Sequence, residues 1–139
     1  MGNTFYNEIL TDHNLNPLHK QTLEYATLKH EGVNPSCGDD IVIELNIVDG
    51  IIKEAAFNGD GCAISQASAD IMADMIIGKK KEEAIRLADM FLKMIRGQCS
   101  ESEIEELEEA SAFEDISHMP ARVKCAVLSW HTMKEMLGK

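Results

Sequence analysis

Ile41-Val42-Ile43-Glu44-Leu45-Asn46-Ile47-Val48-Asp49-Gly50-Ile51-Ile52-Lys53-Glu54-Ala55-Ala56-Phe57 decides the fold. Ile41, Ile43, Leu45 and Ile47 share one face of an extended chain, because side chains on a strand alternate between faces with a period of two. Asp49-Gly50 has the composition of a type I′ turn, in which both central residues take positive φ, and it feeds a second strand over Ile51 to Phe57. The stretch is a hairpin with one apolar face that needs a cover.

Working outward, Leu23, Tyr25 and Thr27 alternate with Glu24 and Ala26, and the run through Leu28 to Glu31, closed by Gly32, predicts a further strand. Before it, Phe5, Tyr6, Ile9, Leu10 and His13 keep helical spacing from an Asn3 cap until Asn14-Leu15-Asn16-Pro17 ends the pattern. After the hairpin the period changes from two to 3.6. Ile64, Ala67, Ile71, Met72 and Met75 form one apolar stripe, stopped by Gly78; Ala84, Ile85, Ala88, Phe91, Leu92 and Ile95 form the next, stopped by Gly97. Ser100 and Glu103 make a capping box for a short helix through Ile104, Leu107 and Phe113, whose outer face is Glu101, Glu105, Glu106, Glu108 and Glu109. Pro120 suits the first turn of a last helix with Val123, Val127, Trp130, Met133 and Leu137 on its stripe. This order predicts an α+β fold: a small three-stranded antiparallel sheet with helices packed on one face. Residues 1–139 read as one domain with a single core.

The chain carries 24 acidic and 13 basic residues, a formal charge of −11, so its average field repels nucleic acid and anionic lipid. The first residues lack a basic and apolar leader, and no apolar run approaches spanning length, which predicts a cytoplasmic protein with no membrane partner. Four cysteines in a reducing compartment read as thiols or ligands rather than disulfides. Their spacing is too wide for a zinc-finger pairing, so any shared site must be assembled by the fold. The eight methionines fall mostly at core spacing. The five histidines show no paired ligand spacing and read as turn or surface residues.

Both loops beside the hairpin hold reactive side chains. In Asn34-Pro35-Ser36-Cys37-Gly38-Asp39-Asp40, Pro35 and Gly38 fix a bend that holds Cys37, and Asp39 can turn back toward the same point. A thiolate and a carboxylate converging on one ion is one reading; an ordinary turn with a small buried cysteine is the other. In Asn58-Gly59-Asp60-Gly61-Cys62, the cysteine opens a helix, where unpaired amides and the macrodipole favour thiolate, or it simply fits a tight strand-to-helix turn. On the last helix, Arg122 stands three residues before Cys125 on one side, with Lys124 adjacent in sequence; two cations near a thiol favour its anion, and a buried cysteine beside two surface bases is the alternative.

Together, Asn34-Pro35-Ser36-Cys37-Gly38-Asp39, Gly59-Asp60-Gly61-Cys62-Ala63-Ile64-Ser65 and Arg122-Val123-Lys124-Cys125 resemble the U-type iron-sulfur cluster assembly proteins, over nearly the whole chain. The 62 residues between Cys62 and Cys125 look like the sulfur-mobilising SufU-type branch, with an inserted helical segment near 90–111. Lys124 stands where the housekeeping scaffold branch carries a histidine, and Met119-Pro120-Ala121 lacks that branch's double-proline chaperone peptide. The resemblance implies a metal ligand set of Cys37, Asp39, Cys62 and Cys125, with Arg122 and Lys124 supporting; Cys99 has no counterpart. Three thiolates and one carboxylate suit Zn²⁺, and iron or a [2Fe-2S] cluster would use the same thiolates.

The implied role is that of a zinc-bound sulfur acceptor, a partner rather than a stand-alone enzyme. A SufS-type, pyridoxal-phosphate-dependent cysteine desulfurase would dock beside the site, displace a thiolate and hand persulfide sulfur to Cys37. The implied destinations are downstream cluster-assembly proteins or apoproteins, and the implied state is monomer or weak dimer. A scaffold that builds a [2Fe-2S] cluster on Cys37, Cys62 and Cys125 is the alternative function, and a structural zinc domain is the third.

Overall fold

A computed structural model describes residues 2–35 and 38–138. The order of elements is α1 (Gly2–Leu15), β1 (Leu28–Asn34), β2 (Asp39–Val48), β3 (Ile51–Asp60), α2 (Ala63–Ile76), α3 (Lys81–Ile95), α4 (Glu101–Glu106), a 3-10 helix (Glu108–His118) and α5 (Pro120–Leu137). The strands form one antiparallel sheet in the order β1-β2-β3. This is the expected α+β arrangement.

The hairpin turns where its sequence directs. Asp49 and Gly50 take φ of 54° and 78°, both in the left-handed region of a type I′ turn, and Val48 pairs with Ile51 across it. Ile41, Ile43 and Leu45 are completely buried on the face that the helices cover. The deepest part of that cover is aromatic. Trp130 of α5 stacks on Phe91 of α3 with centroids 4.4 Å apart and planes at 9°, and Phe113 meets Phe91 edge-on at 5.8 Å. The indole remains hydrogen-bonded despite complete burial: Trp130 Nε1 donates to Ser68 Oγ at 3.1 Å, and Ser68 Oγ donates to the Ala126 carbonyl at 2.6 Å. That chain of bonds ties α2 to α5.

The first strand differs from its expected limits at both ends. Leu23 to Thr27 is not strand: Leu23 is buried and Tyr25 is exposed, with a turn at Glu24 and Tyr25. The alternation there marks one anchored leucine. Thr27 then docks on the sheet, its amide donating to the Leu45 carbonyl at 2.8 Å and its hydroxyl accepting from the Ile47 amide at 2.8 Å. Gly32, expected to close the strand, lies inside it. A Cβ at Gly32 would collide with Thr132 Oγ1 of α5, so glycine is what lets α5 lie directly on β1.

The capping box holds as expected, since Ser100 and Glu103 bond each other's backbone amides, but the helix it opens stops at Glu106. Glu108 takes a φ of 49°, and the chain restarts as a 3-10 helix that carries Phe113 into the core. His13 is also not a surface residue. It is 5% exposed, with Nδ1 2.6 Å from Asp70 Oδ2 of α2 and Nε2 3.0 Å from Glu109 Oε1 of the 3-10 helix. Burial pulls its pKa down, but the bonds to Asp70 and Glu109 outweigh that, so the net shift is upward. Among the described residues, no helix is long and apolar enough to cross a membrane.

Candidate metal centre

The sheet delivers Asp39 and the start of α2 to the same place. Asp40 pairs with Asp60 across β2 and β3, so Asp39, at the head of β2, lies beside the Gly61-Cys62 exit from β3. Asp39 is fully buried, and its Oδ1 accepts the Cys62 amide at 2.8 Å. Gly61 makes this approach possible: a Cβ there would clash with Ser65 Oγ and sit 3.0 Å from Asp39 Oδ1.

Cys62 caps α2 in the extended conformation, φ −70° and ψ 168°, and its sulfur accepts from the Ser65 amide at 3.5 Å. Its orientation is fixed by neighbouring bonds as well, from Ser65 Oγ to the Cys62 carbonyl at 3.1 Å and from Gln66 Nε2 to the Gly61 carbonyl at 2.8 Å.

The third side chain comes from α5. Cys125 is completely buried, and the next residue, Ala126, is the one held to α2 by Ser68. Asp39, Cys62 and Cys125 thereby offer one oxygen and two sulfurs that all lie within 4.8 Å of one another. Donors about 2.0–2.3 Å from a tetrahedral ion lie roughly 3.3–3.8 Å apart, so a small contraction would satisfy Zn²⁺. One further observation matches an ion at this point. Asp39 Oδ2 is buried and has no hydrogen-bond partner, while Oδ1 is already engaged. A buried carboxylate oxygen left without a donor is costly, and a cation between it and two thiolates removes the cost.

Cys37, the first of the expected ligands, lies outside the described residues. Arg122 and Lys124 are exposed on the first turns of α5, with Cys125 buried below them. Cys99 stands apart from the group: its Sγ lies 3.2 Å from the Met90 carbonyl, and burial, helped by the charge of Glu103, pushes its pKa up. Sequence reasoning missed the supporting residues. Ser65, three positions after the cap, was a legible signal for a bond back to Cys62; Ser68 and its link to α5 were not, because their partners lie far away in the chain.

A sheet that sets a carboxylate at one strand head, a thiol at the following helix cap and a second thiol on the last helix defines an α+β scaffold with a side-chain group that could hold a metal ion. The chain belongs to the family described as the NifU-like N terminal domain, whose family model matches residues 5–126, and so to the U-type iron-sulfur cluster assembly proteins. It is 42% identical over 134 residues to a Thermotoga maritima protein named iron-sulfur cluster assembly scaffold protein IscU, covering 96% of this chain and 93% of that one. It is 35% identical over 136 residues to the zinc-dependent sulfurtransferase SufU of Bacillus subtilis, covering 98% and 91%. A crystal structure of a SUF-system protein from Fervidobacterium islandicum superposes with a TM-score of 0.88 at 34% identity, covering 96% of this chain and 97% of that one. The N-terminal NifU-like protein of Brucella abortus shares the fold, with a TM-score of 0.83 at 20% identity.

Proposed function

We propose that this protein is a zinc-bound sulfur acceptor in iron-sulfur cluster assembly, with Cys37, Asp39, Cys62 and Cys125 as ligands and Cys37 as the acceptor. The observation that carries the reading is the mixed donor set: a buried Asp39 that offers a carboxylate oxygen within 4.8 Å of two cysteine sulfurs and whose Oδ2 has no hydrogen-bond partner. Zn²⁺ accepts sulfur and oxygen together, has no redox chemistry of its own and, when bound, keeps cysteine ligands deprotonated at neutral pH. The B. subtilis relative named as a zinc-dependent sulfurtransferase supports the same choice. So does the long interval between Cys62 and Cys125, where residues 90–111 would be the inserted segment of the SufU-type branch.

In this reading the partner is a pyridoxal-phosphate cysteine desulfurase of the SufS type, which carries a persulfide on its own cysteine. The Cys37 thiolate attacks the terminal sulfur of that persulfide. The partner's S–S bond breaks as a new S–S bond forms on Cys37, and the partner's cysteine leaves as a thiolate, with no net oxidation. Attack needs a thiolate and access. Asp39, Cys62 and Cys125, held on a strand head and two helices, stay in place meanwhile, and Arg122 and Lys124 supply positive charge at the surface above Cys125.

The second reading, a [2Fe-2S] scaffold on Cys37, Cys62 and Cys125 that delivers its cluster to apoproteins, is supported by the scaffold named in T. maritima. Metal analysis of freshly purified protein separates the two. Zinc near one equivalent, with persulfide accumulating on wild type but not on Cys37→Ala in the presence of desulfurase and cysteine, is expected. Persulfide accumulation on Cys37→Ala at the wild-type rate would remove Cys37 as acceptor. Iron and sulfide as isolated, transferable to an apo-ferredoxin, would favour the scaffold.

A further inference from the structure

Among the described residues, three buried side chains have a polar atom without a hydrogen-bond partner: Asp39 Oδ2, Asn34 Nδ2 and Ser129 Oγ. Buried polar groups are nearly always paired, so orphans gathered at one place point to something that completes them. Asp39 belongs to the candidate metal group, and strand register and helix spacing tie the other two to it. Asn34 is the register partner of Asp39 across β1 and β2, and directly opposed residues of an antiparallel pair project from the same face. Ser129 follows Cys125 by four residues on α5, one turn along the same side of the helix.

The packing of β1 on α5 brings the two orphans toward each other. His30 Nε2 lies 3.0 Å from Glu135 Oε2, and a Cβ at Gly32 would meet Thr132 and Leu128, so residues 30 and 32 face α5 and advance toward its N-terminal end. Two residues of strand cover about 6.7 Å and one helical turn about 5.4 Å, so position 34, on that same face, comes level with the turn that holds Cys125 and Ser129. Both side chains are buried, 7% and 1% exposed, and both orphaned groups are donors, a carboxamide N–H and a hydroxyl.

We infer that Asn34 and Ser129 are outer hydrogen-bond donors to the ligand group, positioning residues whose bonds are completed by the ligand atoms of a loaded centre. A donor aimed at a thiolate lowers the energy of its sulfur lone pairs and spreads its negative charge, which holds an anionic ligand group together without adding another ligand. The inference rests on the proposed metal-centre reading and adds residues to it.

The test uses the full chain as wild type, Asn34→Leu and Ser129→Ala, loaded with Zn²⁺ for chelator competition and with Co²⁺ for spectroscopy. Loss of one donor is expected to weaken zinc binding by about 10–100-fold. It should also move the sulfur-to-Co²⁺ charge-transfer band to lower energy, which a change in packing alone would not do. The metal-free variants should melt no lower than metal-free wild type, since the removed donors have no partner there. A loss below tenfold in both variants, a loss without the band shift, or a lower metal-free melting temperature in both variants overturns the inference. If Asn34→Leu does not fold, Ser129→Ala alone decides by the same criteria. Wild type that fails to bind zinc would instead overturn the metal-centre reading, so the two failures are distinct.

Discussion

Replacing Asp39 with asparagine separates a ligand from a structural carboxylate. The asparagine Oδ1 still accepts the Cys62 amide, the bond seen at 2.8 Å, so the strand-to-helix turn keeps its clamp. What changes is Oδ2, the buried oxygen without a partner. A buried polar atom left unsatisfied costs about 1–3 kcal/mol, and more when it carries charge; the amide nitrogen that replaces Oδ2 is unpaired too, so only the excess due to charge is relieved, and the metal-free protein should gain about 1 kcal/mol. With an unfolding entropy of roughly 2.1 cal/mol/K per residue over 139 residues, that is a rise of about 3 °C in Tm. In zinc the order should reverse. Substituting an outer-shell group costs about 10–100-fold in metal affinity, and a direct ligand should cost about 100-fold or more. Thermal melts of both proteins in chelator and in excess zinc, with affinities from competition, measure both effects. Asp39→Asn that melts lower than wild type in chelator, or binds zinc as tightly, would refute the ligand role.

Three further outcomes follow from the packing. The upward-shifted pKa of His13 means that folding favours its protonated form; its contribution is fully present below the unfolded value of 6.5 and is lost as pH rises through the higher folded value. The stability gap between wild type and His13→Gln, which removes the charge facing Asp70 and Glu109, should therefore be largest near pH 6 and shrink toward pH 9 in urea melts at each pH. Phe91→Ala removes the ring between Trp130 and Phe113 and should cost about 3–5 kcal/mol in the same assay. Gly32→Ala drives a methyl into the Thr132 hydroxyl, which is itself bonded to the Leu128 carbonyl at 2.8 Å. A loss of about 1–3 kcal/mol is expected, much of it recovered in a Gly32→Ala/Thr132→Ala double variant, and a double-mutant cycle reads the recovery directly.

Local chemistry was legible in the sequence wherever the partners were local. Asp49-Gly50 dictates its turn, Ser100 and Glu103 find each other three residues apart, and Pro120 opens α5, because each signal acts within one turn of chain. The failures are tertiary. Leu23 to Thr27 alternates like a strand, yet only Leu23 is buried, and nothing nearby in the chain reveals that β2 holds Thr27 through its amide and its hydroxyl. His13 sits at helical spacing with Leu10, and its place inside depends on two carboxylates that arrive 57 and 96 residues later. Gly32 reads as a terminator until α5 is laid across it. At the candidate centre, motif resemblance supplied Asp39, Cys62 and Cys125 together; periodicity alone left each as one of two readings, since no spacing among residues 39, 62 and 125 reports a shared point in space.

Positions 39, 62 and 125 lie 23 and 63 residues apart, and the fold joins them at one spot. On the proposed reading, an ion there acts as a removable cross-link that closes two long loops, and closures of this length are worth about 3–5 kcal/mol when covalent. Taking the ion away would loosen the junction of sheet, α2 and α5 at one stroke. Release of the ion and slackening of the fold would then be a single thermodynamic event, and any protein that gripped the slackened form would pull the metal out without touching it.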